Sequence, residues 1–334
     1  MRRLRRWLNP NALRLQLNRW LRPFDLGLYR PSLVEAEQGI TARVPLPDGA
    51  ADVLRADHPR LLALAQRYHG HPAAARSGWS DLRLQNQIDL RYFRGDSQYL
   101  YQRRGTPEAA YALSADYVAR HGSLGLLDAL GEDGAFGAVT FDLDGRRVSR
   151  DLLDSALEIE SLADWLGADR LAAARVLDVG AGYGRLAHRL CSWSPRVRVV
   201  ATDAVPLSTF LCDYYLGYRG CANAEVVPLD EADAMFARGG LDLAVNVHSF
   251  GEAPHAAVAW WLGRIAAAGV PRLFIVHVER ELFALEADLS RKSYDDVLAK
   301  LGYRRVDLRP KYAESDTVQR LGAFPAWYHA FERS

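Results

Sequence analysis

The chain has 334 residues, about two domains at roughly 150 residues each, and can bury a large core without disulfide or metal staples. Hydrophobic residues at 49% and charged residues at 25% exclude wholesale disorder, and no apolar run approaches the roughly 18 residues of a membrane span. Lys+Arg at 42 against Asp+Glu at 41 leaves a net charge of +1, which argues against a general nucleic-acid binder, since that would need a basic excess to neutralise phosphates.

The charge balance hides an asymmetry at the start. Residues 1–22 carry seven arginines (Arg2, Arg3, Arg5, Arg6, Arg14, Arg19 and Arg22) and no acid. Asn9-Pro10 reads as a helix cap and first helical position, and Leu13, Leu17, Trp20 and Leu21 follow at helical spacing. Such a basic amphipathic helix suits peripheral contact with an anionic membrane surface. The alternative is a helix docked on the body with its arginines in water. The segment lacks the apolar stretch and cleavage site of a secretory signal.

The first half reads as helical and irregular. Residues 51–69 carry a helical pattern, GHPAAARSG marks a loop, residues 81–104 mix aromatics with arginine, and residues 107–120 look helical. Within this half Arg91, Tyr92, Arg94 and Asp96 form a polar cluster that can reach over a site as a lid, or stay as solvated surface. AVTFDL with Asp144-Gly145 predicts a hairpin. Ser149 is then the N-cap of a helix over 151–167, with Asp151 near its positive end.

From about residue 171 strands and helices alternate. Strands are predicted at 175–180, 196–203, 224–230, 241–247, 272–278, 303–310 and 326–333, with helices between them, notably 206–218 and 255–269. The pattern argues for an α/β fold: a doubly wound, mostly parallel, seven-stranded sheet covered on both faces. A mainly helical accessory region, 1–165, precedes it, and the sheet domain spans 166–334. Ligands of such sheets bind beyond the carboxyl ends of the strands, near the switch point. Cys191, Cys212 and Cys221 are odd in number and lack metal-ligand spacing, so a reducing, cytoplasmic compartment is expected.

The strongest local signal is Asp178-Val179-Gly180-Ala181-Gly182-Tyr183-Gly184, between an apolar strand and a helix. Alternating glycines let the chain turn tightly and bring bare N–H groups against a ligand at the partly positive helix start. A dinucleotide fingerprint would require glycine at Arg185, so that reading fails. The next strand ends at Asp203, whose carboxylate can accept both hydroxyls of a ribose; Ala204 and Val205 suit packing against a base, and the third strand ends at Asp230.

An acid two positions before Gly-x-Gly-x-Gly resembles motif I of class I S-adenosylmethionine-dependent methyltransferases. The resemblance implies that Asp178, Gly180, Ala181, Gly182 and Gly184 cradle the amino-acid part of S-adenosyl-L-methionine. It further implies that Asp203, Ala204 and Val205 hold its nucleoside, that Asp230 lies near the adenine amino group, and that Asn246 lies against the cofactor. Longer stretches, IDLRYFRGD (88–96), VSRDLLDS (148–155), RVLDVGAGYGRLAHRL (175–190), TDAVPLSTFL (202–211), NVHSFGE (246–252) and PKY (310–312), resemble a bacterial sugar O-methyltransferase group. That likeness implies transfer of a methyl group to a hydroxyl of a sugar, in a glycan or glycosylated metabolite.

A hydroxyl is a poor nucleophile until a base begins to take its proton, and holding the reacting atoms in line supplies much of the rate. The base is expected just beyond the fourth strand, where His248 offers an imidazole usable near neutral pH and Glu252 can orient it or hold substrate. His277, on the same side as Glu279 at the end of the fifth strand, is the rival base. Tyr214 and Trp260, with their neighbours Tyr215 and Trp261, suit the apolar side of a sugar ring, though helix aromatics also build cores. Tyr312 of PKY is the better placed substrate contact. A divalent metal is not favoured, because no H-x-x-x-H type spacing makes a ligand set. Two other readings remain: methylation of a non-sugar hydroxyl, and a catalytically silent cofactor-binding protein whose N-terminal region docks a partner.

Overall fold

The computed structural model describes residues 44–74, 89–95, 108–143 and 145–333. The basic segment 1–22, Asp96 and Asp144 lie outside the described residues. The helical pattern at 51–69 is realised as two helices, α1 (Ala50–Val53) and α2 (Pro59–Tyr68). Pro59 is the reason: it has no N–H to continue a helix and forces the preceding residue out of the helical region. His58 is accordingly extended and caps α2, its Nδ1 accepting from the Arg60 N–H at 3.3 Å. Helices α3 (Glu108–His121) and α4 (Leu126–Leu130) follow, then the hairpin β1 (Thr140–Leu143) and β2 (Arg146–Ser149). Its antiparallel register pairs Leu143 with Arg146, a two-residue connection in which Gly145 takes φ 76°.

Ser149 caps α5 (Arg150–Leu166), its Oγ accepting from the Leu152 N–H at 3.1 Å. After α6 (Ala168–Ala172) come β3 (Arg175–Val179), α7 (Arg185–Trp193), β4 (Arg198–Thr202), α8 (Pro206–Tyr218), β5 (Ala224–Val226), α9 (Ala232–Arg238), β6 (Leu243–Val247), α10 (His255–Ala267) and β7 (Arg272–His277). A small hairpin, β8 (Phe283–Leu285) with β9 (Arg291–Ser293), precedes α11 (Asp295–Lys300), β10 (Tyr303–Pro310), α12 (Asp316–Leu321) and β11 (Trp327–Arg333).

Seven strands form the main sheet in the order β10-β11-β7-β6-β3-β4-β5. The pairs from β5 across to β7 are parallel, while β11 runs antiparallel to both β7 and β10. The doubly wound seven-stranded sheet expected from the alternation is therefore present. From β3 the chain winds outward through β4 and β5, then returns to the other side of β3 with β6 and β7. The crevice at this switch lies beyond the carboxyl ends of β3 and β6, where an open α/β sheet binds ligands.

Side chains along β3 alternate between two cores. Leu177 and Val179 face a cluster with Val258, Leu262, Ile265 and Ile275, while Val176 faces Leu152, Ile159, Leu162 and Phe274. Asp178 shares the Val176 side. On that side α5 is enclosed: every residue from Arg150 to Ala163 is buried, including Arg150, Asp151, Asp154, Glu158 and Glu160. Buried charges must be paired, and α5 becomes the platform on which the charged parts of the crevice are assembled.

Candidate active site

The bend between β3 and α7 is built by backbone geometry that only glycine takes without strain. Gly180, Gly182 and Gly184 have φ of 74°, 58° and 85°. The N–H groups of Gly180 and Ala181 both donate to the Thr202 carbonyl, at 2.9 and 3.2 Å, tying the bend to the tip of β4. At Gly180 a Cβ would sit 2.0 Å from Ser249 Oγ, so the bend and the loop after β6 touch through a missing side chain. At Gly182 a Cβ would meet nothing within 4 Å, because that face of the loop opens into the crevice.

Asp203 braces this loop. Its Oδ2 accepts from the Gly182 N–H at 2.9 Å and its Oδ1 from the Val205 N–H at 2.8 Å. It lines the crevice with Ala204, Val205 and Ser208 on one side, and with Val247, His248, Ser249, Phe250, Glu252 and Ala253 on the other. Asp178 lies at the floor, 2% exposed, and its Oδ2 has no hydrogen-bond partner among the described residues. Burial pushes its carboxyl up to about 7; the Arg185 guanidinium opposes that rise, and Glu158 and Asp203 reinforce it. A buried, unpartnered carboxylate facing a crevice is an acceptor for a cationic group that the protein itself does not supply.

Three acids on one stripe of α5 hold the basic residues around that floor. Glu158 takes Arg185 in a two-pronged pair at 2.9 and 2.9 Å, with Ser155 Oγ accepting a third bond at 2.7 Å. Asp154 takes Arg150 at 3.0 Å and the buried Lys311 ammonium. Asp151 accepts the Tyr183 hydroxyl at 2.5 Å. Arg150, Asp154, Asp178 and Arg185 all line the crevice. The Arg150 guanidinium lies 3.6 Å from the centroid of the Phe324 ring, and Lys311 donates to the Ala323 and Phe324 carbonyls at 3.1 and 3.2 Å. Phe324 itself has φ 48°, a backbone state held by this clamp.

The two histidines have different surroundings. His248 lines the crevice in a left-handed conformation, φ 64°, set by its N–H donating to the Val276 carbonyl at 2.9 Å and by Gly251 N–H donating back to its own carbonyl at 2.9 Å. Its Nδ1 is buried with no hydrogen-bond partner among the described residues, and its ring meets Phe324 edge-on at 5.3 Å. Burial, aided by the charge of Arg150, lowers its pKa to about 3, so near neutral pH the ring is uncharged, with one N–H donor and one acceptor nitrogen. His277 is 1% exposed and does not line the crevice. Both its ring nitrogens face main chain: Nδ1 accepts from the Glu279 N–H at 3.2 Å, and Nε2 lies 3.3 Å from the Phe283 carbonyl.

Several other sequence candidates sit outside the lining. Asn246 is buried behind it, its Nδ2 donating to the Val179 carbonyl at 2.8 Å and to Ser249 Oγ at 2.5 Å, which ties β6 to the tip of β3. Asp230 is bound by Arg67 at 2.7 Å near the surface. The neighbouring Leu229 N–H donates to the Tyr68 hydroxyl at 2.8 Å, so the end of α2 covers this edge, and Ala73 beyond it joins the lining. Tyr312 is buried, its hydroxyl donating to the Ala323 carbonyl at 2.6 Å. Tyr214 packs edge-on against Phe136 at 5.8 Å. Trp260 meets His71 and Arg264, whereas its neighbour Trp261 reaches the lining. In the polar cluster near residue 90, Arg91 pairs with Asp89 at the surface while Arg94 is fully buried and bonds Asp151.

Arg150, Asp154, Arg185 and Phe324 are among the lining or bordering groups that the sequence does not single out. In the sequence Arg185 stands only where a dinucleotide fingerprint would need its third glycine; Arg150 and Asp154 lie within the VSRDLLDS stretch. Among the described residues no three His, Cys, Asp or Glu side chains are grouped to hold a metal ion. No helix among them is long and apolar enough to cross a membrane.

No family model matches the sequence, and no curated protein resembles it closely enough to count as a match. Similar solved structures include the mitomycin 7-O-methyltransferase MmcR, at 20% identity and TM-score 0.38 over 55% of this chain and 56% of that one. This chain thus spans little more than half the length of that protein. Another is the magnesium protoporphyrin IX methyltransferase of Synechocystis PCC 6803 with bound S-adenosylmethionine, at 15% identity and TM-score 0.41 over 68% and 100%. A third is a SAM-dependent methyltransferase from Aquifex aeolicus, at 17% identity and TM-score 0.37 over 52% and 89%.

Proposed function

We propose that the chain is an S-adenosylmethionine-dependent methyltransferase acting on a hydroxyl, on a sugar of a glycan or glycosylated metabolite. The observation that carries the cofactor reading is the orphaned Asp178 carboxylate beside an open glycine bend that Asp203 braces at a strand tip. The Asp178 oxygen would take the ammonium of the amino-acid part, Gly182 would let that part approach the backbone, and the remaining lone pairs of Asp203 would take the ribose hydroxyls. Ala204 and Val205 would flank the base. When bound, the cofactor supplies an electrophilic methyl group on a sulfonium.

On the acceptor side Arg150, His248 and Glu252 supply polar groups to the lining. His248 Nε2, the ring nitrogen opposite the buried Nδ1, would accept the hydrogen bond of the acceptor hydroxyl and orient its oxygen. A ring held near pKa 3 is a weak base, but the hydroxyl proton becomes strongly acidic once the oxygen shares its lone pair with carbon, so a late transfer to Nε2 is downhill. Glu252 would hold a neighbouring hydroxyl. The sugar acceptor rests on the sequence stretches that resemble the sugar O-methyltransferase group and on these polar groups beside the crevice's apolar side chains.

The test is titration calorimetry with S-adenosylhomocysteine, followed by a screen of nucleotide sugars and polysaccharide fractions for S-adenosylhomocysteine release. Micromolar binding and turnover with a sugar acceptor are expected. No heat of binding would sink the cofactor reading; binding with turnover only on non-sugar hydroxyls would sink the sugar.

A further inference from the structure

Tyr183 is the one side chain between Gly182 and Gly184, so it is the handle by which the rest of the protein can grip the cofactor bend. The grip is unusual for a buried site. The Tyr183 hydroxyl donates to Asp151 Oδ2 at 2.5 Å, and the same oxygen accepts from Arg94 Nε and Nη2 at 3.0 and 2.8 Å. Arg189 holds the other oxygen at 3.2 Å and bonds Glu132 at 2.9 Å, the acid that Arg94 also bonds, at 2.7 Å. Arg94 is 0% exposed, Asp151 1% and Tyr183 2%.

Arg94 comes from far outside the sheet, on the segment Asp89–Gly95, and that segment is seated closely. Phe93 packs on Tyr183 with ring centroids 5.1 Å apart, and on Phe136 at 4.9 Å. Gly95 approaches so near that a Cβ there would lie 2.0 Å from the Gly137 carbonyl oxygen. Hydrophobic packing alone would anchor such a segment. A desolvated ion cluster adds little to net stability, and in some systems it is retained because it enforces one arrangement.

We propose that Arg94 is a positioning residue for the cofactor bend, acting through Asp151 on the Tyr183 hydroxyl. The accessory region then completes the cofactor pocket from behind in addition to covering the sheet. With Arg94 removed, Arg189 is the one cation among the described residues still bonded to Asp151, on its other oxygen, so the oxygen that accepts the Tyr183 hydroxyl is no longer pinned and holds the Tyr183 ring and the backbone at Gly182 and Gly184 less firmly.

This inference rests on the cofactor reading above, and its test separates the two. S-adenosylhomocysteine affinity and melting temperature are measured on the full chain, unaltered and carrying Tyr183→Phe, Arg94→Lys, or both. Each single substitution is expected to weaken affinity roughly tenfold, from the loss of a hydrogen bond to a charged group. The double variant is expected to bind as weakly as either single one, because both break the same chain of contacts. A merely structural role would lower the melting temperature in each variant and leave affinity unchanged, or weaken affinity in proportion when the two are combined. Either result overturns the proposal. If Arg94→Lys fails to fold, Tyr183→Phe with unchanged affinity overturns it alone. No binding to the unaltered chain would remove the cofactor reading itself, and this inference with it.

Discussion

The unpartnered Asp178 carboxylate sets a stability cost against a binding gain, and replacing it with asparagine should separate the two. Its pKa rises from an ordinary value near 3.9 to about 7 on folding. A raised acid pKa means that its contribution to stability is complete below about pH 4 and is lost as the pH climbs through 7. A rise of this size corresponds to about 4 kcal/mol at pH 8. Asp178→Asn removes the buried charge but leaves an amide that still needs partners, so a net gain of about 2 kcal/mol at pH 8 is expected. The same variant should bind S-adenosylhomocysteine at least tenfold more weakly, having lost the acceptor for the ammonium.

Protons report the same coupling. At pH 6 the free protein holds Asp178 mostly protonated, and a cation arriving beside it expels that proton. Calorimetric heats in buffers of different ionisation enthalpy should therefore reveal net proton release on binding at pH 6 that fades by pH 8. Affinity should rise roughly tenfold between those pH values. Buffer-independent heats at pH 6, or an Asp178→Asn protein less stable than the parent at pH 8, would refute the reasoning.

Gly180→Ala combines a positive φ with a Cβ 2.0 Å from Ser249 Oγ; a loss of at least about 3 kcal/mol in chemical denaturation is expected, with part of the loss recovered by adding Ser249→Gly. His248→Ala should abolish turnover with less than about threefold change in S-adenosylhomocysteine affinity, whereas His277→Ala should cost about 2–4 kcal/mol of stability because both its ring nitrogens serve main chain; turnover that survives the first and vanishes in a folded form of the second would reverse the assignment. Asp203→Ala should weaken cofactor binding at least tenfold by releasing the Gly182 and Val205 N–H groups. Asp230→Ala, which breaks an exposed pair with Arg67, should change that affinity less than about threefold.

How much of this was legible before folding depends on the range of the interaction concerned. The strands, the Ser149 cap and the Gly180–Gly184 bend are local: apolar runs, a side chain reaching three residues ahead, and φ values that only glycine adopts freely, so residues within one window specify them. Pro59 splitting the first helix is local as well, since its effect reaches no further than its neighbours, yet the apolar periodicity of 51–69 runs across it and masks the break. Trp261 facing the crevice while Trp260 packs against His71 could not be separated, since adjacent aromatic residues on a helix differ only in which partner lies opposite. The α5 stripe of Asp151, Asp154 and Glu158 shows the limit most clearly. Three acids at helical spacing are equally the pattern of a solvated face. They became buried supports of the crevice only because Arg94, Arg185, Arg189 and Lys311 arrive from other parts of the chain to neutralise them. Charge pairing across such distances has no periodicity to read, so the sequence by itself determined the sheet and its glycine bend, and the tertiary structure alone decided which charges gather behind them.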